Sequence, residues 1–171
     1  MAIRFARADD FDAIAAITNH YIATTSVHFG YDPVPAGELR DAWQGKPAYV
    51  WLVDAADDGA VRAYAKSGPW RDRAAYRWTV ETGIYVADGA RGRGLGGPLY
   101  GELLRELAAR DFRSAVAGVT LPNEPSLRLH ARLGFELVGT FRDAGFKLGA
   151  WHDVAWFQKP FRGPVSAGGG S

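Results

Sequence analysis

The sequence predicts a single mixed α+β domain. Segments with a strand pattern and segments with apolar residues at helical spacing alternate irregularly along the chain, without an internal repeat. The length of 171 residues suits one domain, and 47% apolar with 23% charged residues is an ordinary globular composition. We therefore expect one domain over residues 1–162. Residues 163–171, which end in the Gly-, Ala- and Ser-rich run Ser166–Ser171, are expected to form a flexible tail.

The first third of the chain predicts a strand and two helices. Ala2–Ala6 is an opening strand, and Asp9 is a candidate N-cap for the helix that follows it. Apolar residues then recur at helical spacing at Phe11, Ile14, Ile17 and Tyr21. After a Thr- and Ser-rich loop over Ala23–Phe29, two prolines start a short helix that ends near Trp43.

The middle of the chain predicts three strands. Tyr49–Val53 and Val61–Ser67 are joined by Asp57-Asp58-Gly59, a strong hairpin signal. A loop over Pro69–Arg73 leads to a long β-rich run over Tyr76–Val86, which ends at a cluster of glycines.

The last third predicts a helix, a strand, a helix and two strands. The first helix covers Pro98–Arg110, with Leu99, Leu103, Leu104 and Leu107 on one face. A buried strand follows over Ala115–Leu121, and Asn123 begins a helix that stops at Gly134. The strands Phe135–Phe141 and His152–Gln158 complete the order β-α-α-β-β-β-α-β-α-β-β.

Charge and composition exclude several classes of function. Twenty basic and nineteen acidic residues leave a net charge of +1, so we expect neither nucleic acid nor an anionic membrane as a partner. Without cysteine there is no disulfide, thiolate metal site or cysteine nucleophile, and the four histidines lack metal-ligand spacing. No metal is expected. Because no signal-type or membrane-spanning apolar run is present, a soluble cytoplasmic protein is predicted.

The glycine cluster predicts a site for a phosphate or diphosphate. Arg91-Gly92-Arg93-Gly94-Leu95-Gly96-Gly97 lies between a strand and a helix, where glycines expose backbone N–H groups and the helix adds a positive dipole end. Gly92, Gly94 and Gly97 also match the dinucleotide fingerprint, but the acidic residue that should close the next strand is missing. A plain glycine-rich turn is the weaker alternative.

Arg91, Gly94 and Gly96 meet a second pattern, Arg/Gln-x-x-Gly-x-Gly/Ala, and here the chain resembles the GNAT superfamily of N-acetyltransferases. Further segments resemble its phosphinothricin N-acetyltransferase-like branch: Asn19–Ile22, Thr79–Glu81, Ile84–Val86, Leu121–Ser126 and Gly149–Val154. The resemblance implies a mostly antiparallel twisted sheet of about seven strands flanked by about four helices. It also implies acetyl-CoA as the co-substrate, a small amino-acid-like amine as the acceptor, and a homodimer.

The resemblance assigns the cofactor to the backbone of Ile84, Tyr85 and Val86, to the glycine loop Arg91–Gly97, and to Asn123, which is also a good N-cap. Glu81 is the implied general base, because an amine attacks a thioester only after losing its proton. Its alternative is a solvated strand residue. His130 occupies the position of the implied acid or CoA contact, with a packed helix histidine as the alternative.

For the acceptor we expect aromatic walls from Phe29, Tyr76 and Trp78, and a cation for a carboxylate from Arg77 or the nearby Arg71 and Arg73. Strand aromatics are often core residues instead. Two other interpretations stay open. In the first, the chain is an acetyltransferase whose acceptor is an aminoglycoside, a polyamine or a protein N-terminus. In the second, the chain is a non-catalytic CoA-sensing module.

Overall fold

The computed structural model describes residues 2–161, which form a seven-stranded sheet and four α-helices. The strands are β1 (Ala2–Phe5), β2 (Trp51–Ala55), β3 (Val61–Pro69), β4 (Thr79–Val86), β5 (Ser114–Thr120), β6 (Glu136–Lys147) and β7 (Ala150–Pro160). The helices are α1 (Phe11–Thr24), α2 (Ala36–Gln44), α3 (Gly96–Ala109) and α4 (Glu124–Arg132). The predicted fold class is confirmed. The predicted tail lies outside the described residues.

The strand order is β1-β2-β3-β4-β5-β7-β6, and within this sheet all neighbours are antiparallel except β4 and β5. The parallel pair is short. It joins Thr79–Glu81 to Ser114–Val116, and the remaining residues of the two strands are not paired with each other. The sheet therefore opens between β4 and β5.

Two apolar cores cover the two faces of the sheet. On one face, α3 packs Leu99, Leu103 and Leu107 onto β2–β5 and β7, and these leucines are fully buried. On the other face, Phe11 and Ile14 of α1 pack against aromatic and aliphatic side chains of β2 and β3. Burial of an apolar stripe on each helix holds the layers together. Among residues 2–161, no helix combines the length and apolar character needed to cross a bilayer.

The start of α1 differs from the prediction. Asp9 is exposed and does not cap the helix, because Ala8–Asp10 forms a 3-10 turn and α1 begins at Phe11. The buried carboxylate is that of Asp10, which accepts the backbone N–H of Arg7 at 2.7 Å and pairs with Arg4 at 2.7 Å. The ion pair with Arg4 explains why the second aspartate is turned inward.

Several strand limits also differ, and β2 is shifted by two residues, to Trp51–Ala55 from the predicted Tyr49–Val53. β4 begins at Thr79, because Ala74–Tyr76 forms a 3-10 turn. The last two strands are longer than predicted and continue to a two-residue turn at Leu148-Gly149, where both residues have positive φ (52° and 75°). That conformation matches the twist of paired strands, so the hairpin extends to its tip.

Candidate active site

A cavity of about 420 Å³ lies where β4 and β5 separate. Its walls come from β3, β4 and β5, from the beginning of α4, and from the loop between α1 and α2. Five of the predicted site residues line it: Glu81, Ile84, Tyr85, Asn123 and His130. The fold thus brings the predicted base, part of the predicted cofactor strand and the predicted acid into one space.

Glu81 is the last β4 residue that pairs with β5, opposite Val116. Its carboxyl therefore stands at the point where the sheet opens. Burial raises the pKa of Glu81, while the charges of Lys66 and Arg71 oppose that rise. A carboxylate with a raised pKa is a better proton acceptor, which is the property a general base needs.

Beyond Glu81, backbone groups of β4 face the opening. Ala87 N–H bonds to the Arg62 carbonyl of β3 at 2.8 Å, so by antiparallel alternation the N–H and C=O of Val86 and Ile84 point away from β3. Tyr21 covers the far end, since its hydroxyl donates to the Val86 carbonyl at 3.0 Å and lies 3.4 Å from the Val86 nitrogen. Ile84 therefore presents its backbone polar groups to the cavity.

His130 belongs to a buried hydrogen-bond network. The side chain is 3% exposed, and its Nδ1 lies 2.8 Å from the Ser126 carbonyl oxygen. Because a carbonyl can only accept, Nδ1 carries the proton and Nε2 accepts from the Tyr100 hydroxyl at 3.3 Å. The Tyr100 oxygen is also 2.7 Å from Thr82 Oγ1. The network joins α4 to β4 across the cavity.

The pKa values within this network favour neutral groups. Burial lowers the pKa of His130, and the hydrogen bond to Ser126 opposes this only in part. Burial also raises the pKa of Tyr100 far above its usual range. At neutral pH the histidine is therefore an uncharged imidazole held in one tautomer.

Asn123 is confirmed as the N-cap of α4. Its Oδ1 accepts the Ser126 backbone N–H at 3.2 Å, and the residue also lines the cavity. The same cap therefore fixes the helix that carries His130. Both roles proposed from the sequence are compatible with this geometry.

The glycine loop follows β4 and leads into α3, which begins at Gly96. Gly92 and Gly94 have φ values of +75° and +73°, and no atom lies within 4 Å of the position that a Cβ would take at either residue. The backbone of the loop is therefore uncovered, as an anion site requires. Gly96 lies beside the Ile84 side chain, with 3.7 Å between Ile84 Cδ1 and the position that a Cβ would take at Gly96, so the start of α3 is next to a residue of the cavity wall.

The arginines of the loop differ in their surroundings. Arg91 pairs with Asp88 at 3.1 Å, and its guanidinium lies 5.0 Å from the centre of the Tyr21 ring. Arg93 is exposed. Leu95, which the loop prediction includes, is buried and anchors the helix start. Val86 and the residues of the loop do not line the cavity itself.

The predicted acceptor residues lie outside the lining of the cavity. Tyr76 and Trp78 are exposed, and the Arg77 guanidinium stacks 3.5 Å from the Trp78 ring centre. Phe29 packs against Gly145, whereas its neighbours Val27 and His28 line the cavity. A role for these four residues in acceptor binding stays a prediction.

Sequence reasoning missed two lysines. Lys66 lies in β3 and lines the cavity, and Lys147 lies in β6 with only 3% of its surface exposed. Lys66 had a detectable signal, because strand alternation places it on the same face as the aromatic Tyr64. A charged residue at a core-facing position of a strand is a candidate for function. Lys147 had no such signal, since its burial depends on a distant loop.

No group of three or more His, Asp and Glu side chains within residues 2–161 is arranged to hold a metal ion.

The model of the acetyltransferase (GNAT) family matches residues 14–135, which is more than half of the chain. The chain belongs to the GNAT family. The expectation drawn from the glycine loop and the strand segments is thereby confirmed.

Within the GNAT family, the chain is similar to proteins named as acetyltransferases of phosphinothricin and of methionine sulfoximine. It is 45% identical to the phosphinothricin N-acetyltransferase of Streptomyces viridochromogenes, over 95% of this chain and 89% of the relative. It is 36% identical to the L-methionine sulfoximine/L-methionine sulfone acetyltransferase of Pseudomonas paraeruginosa, over 92% of each chain.

A solved GNAT structure has the same fold. The phosphinothricin acetyltransferase of Sinorhizobium meliloti, in complex with acetyl-CoA, superimposes with a TM-score of 0.88 at 34% identity. The match covers 93% of this chain and 87% of that chain. The chain is therefore an N-acetyltransferase of this family, with the full GNAT sheet.

Proposed function

We propose that the protein transfers the acetyl group of acetyl-CoA to the amine of a small amino-acid-like acceptor by direct attack. The observation that carries the proposal is Glu81, a carboxyl with a raised pKa at the point where β4 leaves β5. Relatives named as acetyltransferases of phosphinothricin and methionine sulfoximine support the acceptor class. There is no cysteine to carry an acetyl intermediate, which is consistent with a single transfer step.

Glu81 removes the proton that blocks the reaction. The amine of an amino acid is mostly protonated at neutral pH, and only the free base attacks a carbonyl. The carboxylate takes this proton directly or through one water molecule. The amine then forms the new amide bond, and the thioester bond breaks.

Backbone groups hold acetyl-CoA. Ile84 turns its N–H and C=O groups toward the opening, where an extended pantetheine arm can pair as an added strand. The Val86 groups turn the same way, but the Tyr21 hydroxyl lies against them and has to move before they pair with the arm. The Ile84 N–H is also suited to stabilise the negative charge that develops on the thioester oxygen. The uncovered loop around Gly94 and the start of α3 hold the diphosphate, and Asn123 contacts the cofactor from the opposite wall.

The departing thiolate takes up a proton from His130 or from water. His130 is neutral and carries its proton on the nitrogen that bonds to Ser126. It therefore delivers a proton to the thiolate only after gaining one at Nε2, where the Tyr100 hydroxyl now lies. Water entering the cavity is the alternative donor, and activity of His130→Gln distinguishes the two.

The test is release of free thiol from acetyl-CoA with a panel of acceptors. The panel contains phosphinothricin, methionine sulfoximine and methionine sulfone, together with a polyamine, an aminoglycoside and an N-terminal peptide. Turnover restricted to the amino-acid-like group supports the proposal. Turnover with the cationic amines alone refutes the acceptor class, and the basic residues Lys46 and Lys66 in the cavity wall argue against those acceptors.

The variant Glu81→Ala distinguishes an enzyme from a non-catalytic CoA sensor. An enzyme loses turnover with this change and still binds acetyl-CoA in calorimetry. A sensor shows no thiol release before the change, and its binding is the same after it.

We also propose a homodimer. Large apolar side chains are exposed along the last hairpin: Leu137, Val138, Phe141, Phe146, Leu148 and Trp151. An apolar patch of this kind on an edge strand is typical of a contact surface. Analytical ultracentrifugation of the wild type and of Val138→Glu tests this, with a monomer expected for the variant.

Location in the cytoplasm stays a prediction.

A further inference from the structure

Lys66 is one of four β3 residues that line the cavity. It is opposite Trp51 on β2 and opposite Gly83 on β4. The ammonium lies 5.0 Å from the centre of the Trp51 ring. Among residues 2–161 it forms no ion pair and no hydrogen bond. An ammonium in a cavity wall that lies beside an aromatic ring and has no hydrogen-bond partner is well placed to bind an anion.

Lys66, Gly68, Glu81 and Gly83 form a group of four neighbouring residues on β3 and β4, in which Lys66 and Glu81 occupy opposite corners. Glu81 is opposite Gly68, and Lys66 is opposite Gly83, so the two charged residues are diagonal neighbours. Diagonal positions on paired strands are about 7–8 Å apart. All four residues face the same side of the sheet, because they are separated by two positions along each strand.

The other two corners are glycines, and the space above them is open. No atom lies within 4 Å of the position of a Cβ at Gly68, and at Gly83 only the edge of Tyr85 approaches, at 3.5 Å. A small molecule can therefore lie on bare backbone between the lysine and the glutamate. This floor accommodates a ligand with an amine at one end and an acidic group at the other.

The charges around this floor are unequal. Lys46 also lines the cavity, and Arg71 is close enough to Glu81 to lower the pKa of its carboxyl. Burial lowers the pKa of Lys66, while Glu81 opposes this effect. The cavity thus contains more positive than negative charge, and an acceptor with two acidic groups and a neutral amine balances it.

We propose that Lys66 binds an acidic group at the end of the acceptor side chain while Glu81 receives the acceptor's amine. The inference rests on the proposed function and adds the substrate class: amino acids with an anionic side chain. Lys46 in the cavity wall and Arg71 beside Glu81 supply cations for the α-carboxylate, which is attached to the same carbon as the amine. Lys66 is then available for a second acidic group at the end of the side chain.

The test compares two acceptors of almost identical shape. Phosphinothricin and methionine sulfone share the same carbon chain and terminal methyl group, but the first carries an anionic phosphinate where the second carries an uncharged sulfone. In Lys66→Met, kcat/KM for phosphinothricin is expected to fall about tenfold to a hundredfold more than kcat/KM for methionine sulfone. Lys66→Arg, which keeps the charge, retains most of the preference.

Lys159→Met is the matched control. Lys159 is opposite Ala115, whose side chain belongs to the core on the α3 face, so this change removes the same charge from the other side of the sheet. The ratio of the two kcat/KM values should stay at its wild-type value. Calorimetric binding of CoA and the urea midpoint of each variant establish that the fold is intact.

The outcomes separate the inference from the function on which it rests. If kcat/KM of Lys66→Met falls equally for both acceptors, Lys66 binds the α-carboxylate that they share. If it falls for neither, Lys66 does not contact the acceptor. Either result overturns the inference and leaves the proposed function in place. If the wild type releases thiol with neither acceptor, the proposed acceptor class is wrong. In that case the affinity for phosphinothricin, measured by calorimetry, tests whether Lys66 binds the acidic group. Equal affinity of the wild type and Lys66→Met overturns that role.

Discussion

The Nζ atom of Lys147 lies 2.6 Å from the carbonyl oxygen of Ile22. The same ammonium donates to the carbonyl of His28 at 2.5 Å, and the neighbouring Phe146 carbonyl accepts the Tyr31 hydroxyl. These bonds connect the last hairpin to the end of α1 and to the loop between α1 and α2. Because His28 lines the cavity, the hairpin holds one wall of the active site in position.

Replacing Lys147 by Met should loosen this wall. Two backbone carbonyls lose their donor, at a cost of about 1–3 kcal/mol in the free energy of unfolding. We expect a lower urea midpoint and a higher KM for the acceptor, with kcat less affected. Lys159→Met, which removes a charge from the neighbouring strand, serves as the control. An unchanged KM would show that the loop is held by other contacts.

Gly145 makes a second contact with the same loop. A Cβ at this residue would lie 2.6 Å from Cζ and 2.8 Å from Cδ2 of Phe29, distances that force the ring to move. Gly145→Ala is therefore expected to destabilise the fold by about 1–3 kcal/mol and to raise the acceptor KM. Gly139→Ala on the same strand meets no atom within 4 Å and should have little effect. Equal behaviour of the two variants contradicts the prediction.

Gly94→Ala should weaken acetyl-CoA binding. The residue has a φ of +73°, which costs an alanine about 1–2 kcal/mol, so the loop is expected to shift away from its cofactor-binding shape. Gly89→Ala, in the same loop region but without a positive φ, is the matched control. Calorimetry should show a higher Kd for acetyl-CoA in Gly94→Ala only. Comparable affinities would exclude this loop as the diphosphate site.

The pH dependence of turnover should report on Glu81. Burial raises its pKa above the usual 4.5, so kcat/KM falls as the pH drops through that raised value and the base becomes protonated. Lys66→Met removes a charge that lowers this pKa, and the acidic limb should move to higher pH. Glu81→Gln should lower kcat about 10²- to 10⁴-fold and abolish the limb. A limb that persists in Glu81→Gln assigns it to another group.

His130 should make the fold sensitive to acid. Its pKa is lowered in the folded state from 6.5, so the unfolded chain binds a proton first as the pH falls. Stability is therefore complete above about pH 6.5 and declines as the pH falls toward the folded-state pKa. Urea unfolding at pH 8 and pH 5.5 should give a smaller difference for His130→Gln than for the wild type. His28, whose pKa is also lowered by burial, accounts for part of the remaining slope.

The local pattern of the sequence was enough to predict which helices and strands form, in which order, and part of the active site. Four glycines between a strand and a helix predicted an open loop, and the structure has positive φ at Gly92 and Gly94. Asn123 was predicted as a cap and is one. These features depend on a few consecutive residues, so their physical causes are visible in the sequence. The limits of β4 and of the last hairpin were less predictable, because tight turns and distant pairing set them.

Tertiary structure alone decided which residues share the cavity. The register between β3 and β4 places Glu81 diagonal to Lys66 with glycines at the two corners between them, and the separation of β4 from β5 opens the cavity beside Glu81. Burial of His130 against Tyr100 likewise follows from packing between α4 and α3. Sequence determined the order of the elements and the chemistry available to them, because both arise from short-range periodicity and residue type. The spatial combination of those groups arises from long-range pairing, whose register no local pattern contains.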